Sequence, residues 1–173
     1  MARCGRFAPK AYTGALWVLK VILNYDYLWI NLRVKGGAYG CMSGFSRYGK
    51  GYLVSYRDPG LTGTNAVYEG IPAYLKDFQA DERYVIGTMS DVDAPLTPAS
   101  RGARNLSAFL SGVTNETIQK ERREILEVTQ EDIRALADIL ADVLGTGALC
   151  AIGNGGQIKE NSSMFAEVKS LYH

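Results

Sequence analysis

The chain has 173 residues, 47% hydrophobic, 21% charged and 10% aromatic, proportions that suit one ordinary globular domain and exclude collagen-like or extensively disordered architecture. Its 19 Lys and Arg against 18 Asp and Glu leave a net charge of +1, so there is no cationic surplus to neutralise a run of phosphates and nucleic acid is not an expected partner. Cys4, Cys41 and Cys150 are far apart in sequence and form no Cys-x-x-Cys pair, so they read as reduced, mostly buried thiols of a cytoplasmic protein.

The only histidine is His173, the last residue, where a firmly held imidazole is not expected. A Ser-His-Asp or Cys-His nucleophile system, a two-histidine zinc site and a 2-His-1-carboxylate iron site all require one. No metal ligand set is therefore expected within this chain. The opening Met1-Ala-Arg-Cys-Gly-Arg-Phe7 has charge but no following apolar block, so no secretory signal is expected.

In chain order, a strand is predicted over Ala2 to Phe7, followed by a helix from Tyr12 to about Arg33. Ala15, Val18, Ile22, Tyr25, Trp29 and Leu32 form one apolar stripe on this helix, and Leu16, Leu19, Leu23, Tyr27 and Ile30 form another. Two stripes imply burial on two sides, with Tyr25, Tyr27 and Trp29 in the core. Lys20, Asn24, Asp26 and Asn31 interrupt the stretch and make it a core helix of a soluble protein with no membrane partner.

Beyond Gly36-Gly37-Ala38-Tyr39-Gly40, the runs Cys41 to Arg47 and Tyr52 to Arg57 flank Tyr48-Gly49-Lys50-Gly51 as a β-hairpin would, and Asp58-Pro59-Gly60 closes it as a turn. A helix begins near Thr62 to Asn65; Val67, Ile71, Tyr74, Leu75 and Phe78 mark its face, and Pro72 bends or divides it. Tyr84 to Met89 is read as a short helix, and Pro98 opens another that reaches about Leu110. Thr114 precedes a further helix, and Thr129-Gln-Glu-Asp132 is a capping box for the next, whose core face is Ile133, Leu136, Leu140 and Val143. Gly145-Thr146-Gly147 stops it, Ala148 to Ile152 reads as a buried strand, and a last helix is predicted from Gln157 to Leu171. The sum is a single α+β domain over residues 1–173, a two-layer sandwich with helices on one face of a mostly antiparallel sheet. Three or four strands leave a sheet edge open, which suggests part of a larger protein or a sheet completed by a partner.

The densest group of special residues is Arg33-Val-Lys-Gly-Gly-Ala-Tyr39-Gly40. Glycines allow close backbone approach, Arg33 offers a planar fork of donors to carbonyl or carboxylate oxygens, and the Tyr39 hydroxyl can donate to an oxyanion. The plainer account is that the glycines end the helix, Arg33 complements its C-terminus and Tyr39 packs in the core. No phosphate-loop spacing is present. Asp81, Glu82, Asp91 and Asp93 lack the spacing of a calcium loop and read as solvated turns, while Lys120-Glu-Arg-Arg-Glu124 reads as a solvated helix face.

The run Tyr12-Thr-Gly-Ala-Leu16 with Asn24-Tyr-Asp-Tyr-Leu-Trp-Ile-Asn-Leu-Arg-Val-Lys-Gly-Gly-Ala-Tyr-Gly-Cys41 resembles the C-terminal part of presequence-protease-like zinc metallopeptidases, a branch of the pitrilysin/insulinase family. Ser55-Tyr-Arg-Asp-Pro59, Tyr68-Glu-Gly-Ile-Pro72, Ile86-Gly-Thr-Met-Ser-Asp-Val-Asp93, Pro95-Leu-Thr-Pro98, Leu110-Ser-Gly-Val-Thr114 and Thr129-Gln-Glu-Asp-Ile-Arg-Ala-Leu136 extend the likeness along much of the chain. The resemblance implies the last domain of a two-halved peptidase that closes around a peptide, with zinc on an inverted His-x-x-Glu-His motif and a distal glutamate of the N-terminal half. That motif is absent here, so the resemblance implies no cofactor bound by this chain, zinc in the missing catalytic half, and no independent hydrolysis. It places substrate binding and transition-state support at Arg33, which would grip a substrate carbonyl, and Tyr39, which would hydrogen-bond the developing oxyanion.

The expected partners are a peptide substrate and the catalytic N-terminal half or a partner chain. The sequence departs from the family pattern in starting at what looks like a strand inside the last domain, and in a shorter Asp81-Glu82-Arg83-Tyr84 link. The competing expectation is a free-standing structural or peptide-binding module that self-associates as a homo-oligomer and has no catalytic role.

Overall fold

The computed structural model describes residues 1–170. Its sheet has four strands in the order β2-β3-β1-β4. These are β1 (Ala2–Arg6), β2 (Gly40–Ser46), β3 (Lys50–Tyr56) and β4 (Ala148–Cys150), and every neighbouring pair is antiparallel. Side chains alternate across the pleat: Gly51, Leu53 and Ser55 of β3 are buried toward the helices, whereas Tyr52 and Tyr56 point the other way and are exposed. The register places Met42, Cys4 and Cys150 on that same open face. This is the expected α+β arrangement, with helices on one face only.

The long central helix fills the space behind the sheet. Its regular part, α1 (Ala15–Ile22), buries Ala15, Leu16, Val18, Leu19, Val21 and Ile22, so burial on two sides holds there. It then widens into π-helical turns at Leu23–Tyr27 and Trp29–Val34. A wider turn displaces carbonyls from their usual partners; Asn31 Nδ2 donates to the Tyr27 carbonyl at 2.8 Å, and Lys35 N reaches back five residues to Ile30 O at 3.0 Å. Along this stretch only Leu23, Leu28 and Leu32 are fully buried, and Tyr25 is 68% exposed, so the reading of Tyr25 as core is corrected. The π register rotates that stripe away from the sheet. Trp29 is half-exposed, while Tyr27 remains partly buried, donating to the Val67 carbonyl at 2.9 Å.

The remaining helices are α2 (Thr62–Glu69), α3 (Ile71–Lys76), α4 (Glu82–Val92), α5 (Pro98–Leu110), α6 (Asn115–Leu126), α7 (Gln130–Gly145) and α8 (Gly155–Glu160). As predicted, Pro72 opens a new helix, so the run from Thr62 is divided into α2 and α3 at Gly70. Thr129 and Asp132 form the reciprocal capping box of α7, with Asp132 Oδ2 accepting from Thr129 N at 2.8 Å and Thr129 Oγ1 from Asp132 N at 3.1 Å. Helix α7 lies directly on β1: a Cβ at Gly5 would come within 1.9 Å of the Val143 carbonyl oxygen, so only glycine admits this approach. Arg3 fastens the same region, donating to Asn65 Oδ1 at 2.6 Å, Glu69 Oε1 at 2.9 Å and the Leu144 carbonyl at 2.9 Å.

Four further expectations are corrected. The helix predicted from Gln157 to Leu171 ends at Glu160 and is followed by a 3-10 turn at Ser162–Met164; Leu171 and His173 lie outside the described residues. Asn161, whose Nδ2 donates to the Gln157 carbonyl at 2.9 Å, and the serines after it offer local hydrogen bonds that compete with helix. Cys4 and Cys150 are exposed and Cys41 is half-buried, because the uncovered sheet face and the helix end leave them open. Glu121 is not on a solvated face: at 8% exposure it receives Arg47 Nε and Nη2 bidentately, both at 2.5 Å. The strand predicted over Ala148 to Ile152 spans only Ala148–Cys150.

Candidate functional site

The end of the central helix builds the site. Gly37 takes φ +77°, its N–H bonds the Arg33 carbonyl at 3.2 Å and the Ala38 N–H bonds the Leu32 carbonyl at 2.9 Å. The first bond is that of an αL cap, which favours glycine at the left-handed position, and the second reaches one residue further back than in a Schellman cap, in keeping with the widened turns before it. Leu32 and Ala38, buried at 2% and 3%, supply its apolar contact. The cap reverses the chain within a few residues and delivers Tyr39 to the sheet, where its N–H bonds the carbonyls of Tyr56 (3.1 Å) and Arg57 (3.3 Å).

Helix and strand are locked together behind this turn. Asn24 Oδ1 accepts from both the backbone N–H (2.6 Å) and the hydroxyl (2.9 Å) of Ser43, itself 1% exposed. Because β2 is an edge strand, this side chain occupies an otherwise open ladder position.

Arg33 and Tyr39 therefore meet on one exposed rim. The guanidinium of Arg33 stacks 4.1 Å from the centre of the Trp29 ring and lies 5.9 Å from that of Tyr39. Tyr39 is 62% exposed, so the plainer account of a core tyrosine is corrected: its ring stands edge-on to Tyr56 at 5.7 Å and faces solvent. The half-buried Cys41 thiol, close enough to feel Arg33, is raised from its usual range by burial and pulled partly back by that charge. Chemically, the rim offers a planar cation and a phenol as hydrogen-bond donors to a polar chain laid across it.

Three members were not singled out from sequence. Trp29 precedes Arg33 by one helical turn, an i,i+4 spacing that puts them on one face. Tyr56 and Arg57 end β3, and the register brings them opposite Gly40 and Tyr39. Beside them an open groove of about 690 Å³ runs past Val54, Pro59 and Ile152. Asp81, Asp91 and Glu82 are exposed, whereas Asp93 is ion-paired with Arg122 across α4 and α6. Among the described residues no group of three or more His, Cys, Asp or Glu is placed to hold a metal ion, so the residues here do not fit a zinc site.

The same fold occurs in a solved structure from Bordetella pertussis Tohama I, described as that of a zinc protease, on which this chain superposes with a TM-score of 0.59, covering 85% of this chain and 89% of that one at 13% identity. Residues 6–152 match the family model of the PreP C-terminal domain, and the chain belongs to that family. It is 45% identical over 164 residues to Protein HypA of Clostridium perfringens, covering 92% of this chain. It is 33% identical over 167 residues to Presequence protease 1, chloroplastic/mitochondrial, of Arabidopsis thaliana, covering 91% of this chain. The chain spans only 17% and 16% of the lengths of these two relatives. No helix among the described residues is long and apolar enough to cross a membrane.

Proposed function

We propose that this chain is the substrate-facing, metal-free part of a zinc-dependent peptidase, completing a chamber in which peptides are cleaved. The observation that carries this reading is the meeting of Arg33 and Tyr39 on one exposed rim, held there by the Gly37 cap and the Asn24–Ser43 clamp. Arg33 donates to a backbone carbonyl of the bound peptide and so fixes its position, while the Tyr39 hydroxyl donates to the oxygen that gains charge as the scissile carbonyl becomes tetrahedral. Zinc, which activates water and polarises the carbonyl when bound, belongs to the portion of the relatives' length that this chain does not span.

The test is kinetic. In the complete peptidase containing this chain, Arg33→Ala and Tyr39→Phe are each expected to lower kcat/KM about tenfold or more, with the fold retained, because both side chains are exposed. Unchanged kinetics in both variants would remove the rim from the mechanism. The uncovered sheet face, with Met42, Tyr52 and Tyr56 each about half-exposed, supports a second reading of a self-associating module. On that reading, light scattering gives a stable dimer of the isolated chain, and cleavage in the complete peptidase is indifferent to both substitutions.

A further inference from the structure

Arg57 is the only non-glycine residue with positive φ among the described residues, at +47°. An L-residue in this region is strained, and such strain persists where the surroundings over-determine it. Here the surroundings are the rim. The Arg57 carbonyl accepts from Tyr39 N at 3.3 Å, and its guanidinium lies 5.5 Å from the Tyr39 ring centre and 5.4 Å from that of Tyr56. The backbone conformation thus turns a second cation onto the ring that Arg33 already approaches at 5.9 Å.

Both guanidinium groups are exposed, and the negative face of the ring attracts each of them. A carboxylate would pair with either cation more strongly, yet the chain supplies none. Among the described residues neither Arg33 nor Arg57 makes a side-chain hydrogen bond or ion pair. The adjacent Asp58 is engaged within its own turn, with Oδ1 accepting from Gly60 N at 2.9 Å and Oδ2 from Thr64 Oγ1 at 2.6 Å. Elsewhere in the chain arginines do find acids: Arg3 with Glu69, Arg47 with Glu121, Arg83 with Asp81 and Arg122 with Asp93.

We propose that Arg57, with Arg33, forms a carboxylate-binding subsite on the rim and makes the bound peptide's acidic group a determinant of specificity. The proposal rests on the reading of the rim as peptide-facing and adds to it a substrate feature. The two forks reach the carboxylate as planar, charge-assisted donors. Its source is either an Asp or Glu side chain or the peptide's terminal carboxylate, since both present the same pair of oxygens.

The test is a titration of the full 173-residue chain with three otherwise identical acetylated pentapeptides, followed by amide chemical shifts and by the fluorescence of Trp29, which sits under Arg33. One peptide carries a central Glu and an amidated end, the second a central Gln and an amidated end, the third a central Gln and a free C-terminal carboxylate. At least one carboxylate peptide is expected to bind about fivefold more tightly than the Gln amide at low salt, with the advantage shrinking as ionic strength rises. A Glu-only preference identifies a side chain as the ligand, and a free-acid-only preference identifies the chain terminus.

Arg57→Gln is expected to bring the ratio to within about twofold of unity, and Arg57→Lys to recover only part of it. Arg57→Gly relieves the positive φ and so secures a folded variant lacking the cation. Equal binding of all three peptides by the native chain, or an advantage that persists in Arg57→Gly, overturns the proposal. Failure of the catalytic reading is recognisable separately, because it leaves the binding ratio intact while Tyr39→Phe has normal kinetics.

Discussion

Asn24→Ala tests the coupling between the helix that carries Arg33 and the strand that follows Tyr39. The substitution removes an oxygen that accepts from the Ser43 N–H at 2.6 Å and the Ser43 hydroxyl at 2.9 Å, at a residue 1% exposed. Each donor left unsatisfied in a buried site costs about 1–3 kcal/mol, and partial relief from an entering water or hydroxyl rotation brings the expected total to about 2–4 kcal/mol. For a chain of this length that corresponds to a fall in Tm of roughly 5–15 °C. Thermal and urea unfolding followed by circular dichroism measure it, and Asn24→Asp, which retains an acceptor, is expected to lose less at neutral pH. A loss below about 0.5 kcal/mol would mean that Ser43 finds other partners and that the clamp does not hold the rim together.

The remaining predictions concern the frame and its pH response. Glu121→Ala strands the Arg47 cation, whose side chain is 35% exposed, so about 2–3 kcal/mol is expected rather than the full cost of a buried pair; Arg47→Met with Glu121→Leu should recover most of it in chemical denaturation. Gly5→Ala forces α7 off β1 and is expected to destabilise by about 3 kcal/mol or more, measured by urea unfolding, because the obstructing atom is backbone. Tyr12 is raised to about 12 by burial, with Glu121 adding to the effect. The folded state therefore keeps a proton that the unfolded chain releases near its ordinary value of 10, so Tyr12 contributes stability below pH 10 that is lost as pH rises toward about 12. Tyr12→Phe should remove that component from the alkaline stability profile.

Much of this frame was legible in the sequence, for local reasons. The capping box at Thr129 and Asp132, the division of the run at Pro72, the hairpin after Gly40 and the two-sided burial of α1 each depend on residues a few positions apart. Features that depend on register across the fold were not legible. Glu121 looked like one charge in a mixed-sign run, but the hairpin turn brings Arg47 down upon it from 74 residues away. The π-helical turns rotate Tyr25 and Trp29 outward from a stripe that ordinary helical periodicity assigns to the core.

At the site, Arg33 and Tyr39 were marked by the glycine turn between them and by the family resemblance, and the fold brings the two together. Arg57 passed as the last residue of the second hairpin run because its meaning lies in a positive φ and in a cross-strand neighbour, neither of which is written in Tyr52 to Arg57 or the turn after it.

The central claim is that Tyr39 acts on the reacting oxygen rather than on the resting peptide. Its most direct test compares a substrate with a phosphinic peptide of the same sequence, whose tetrahedral oxygens stand in for the developing oxyanion, in the complete peptidase with and without Tyr39→Phe. The account predicts that the substitution weakens the phosphinic peptide and lowers kcat by a similar factor, about tenfold or more, while KM changes less than about twofold. Equal weakening of substrate and analogue, or no weakening of either, would contradict it.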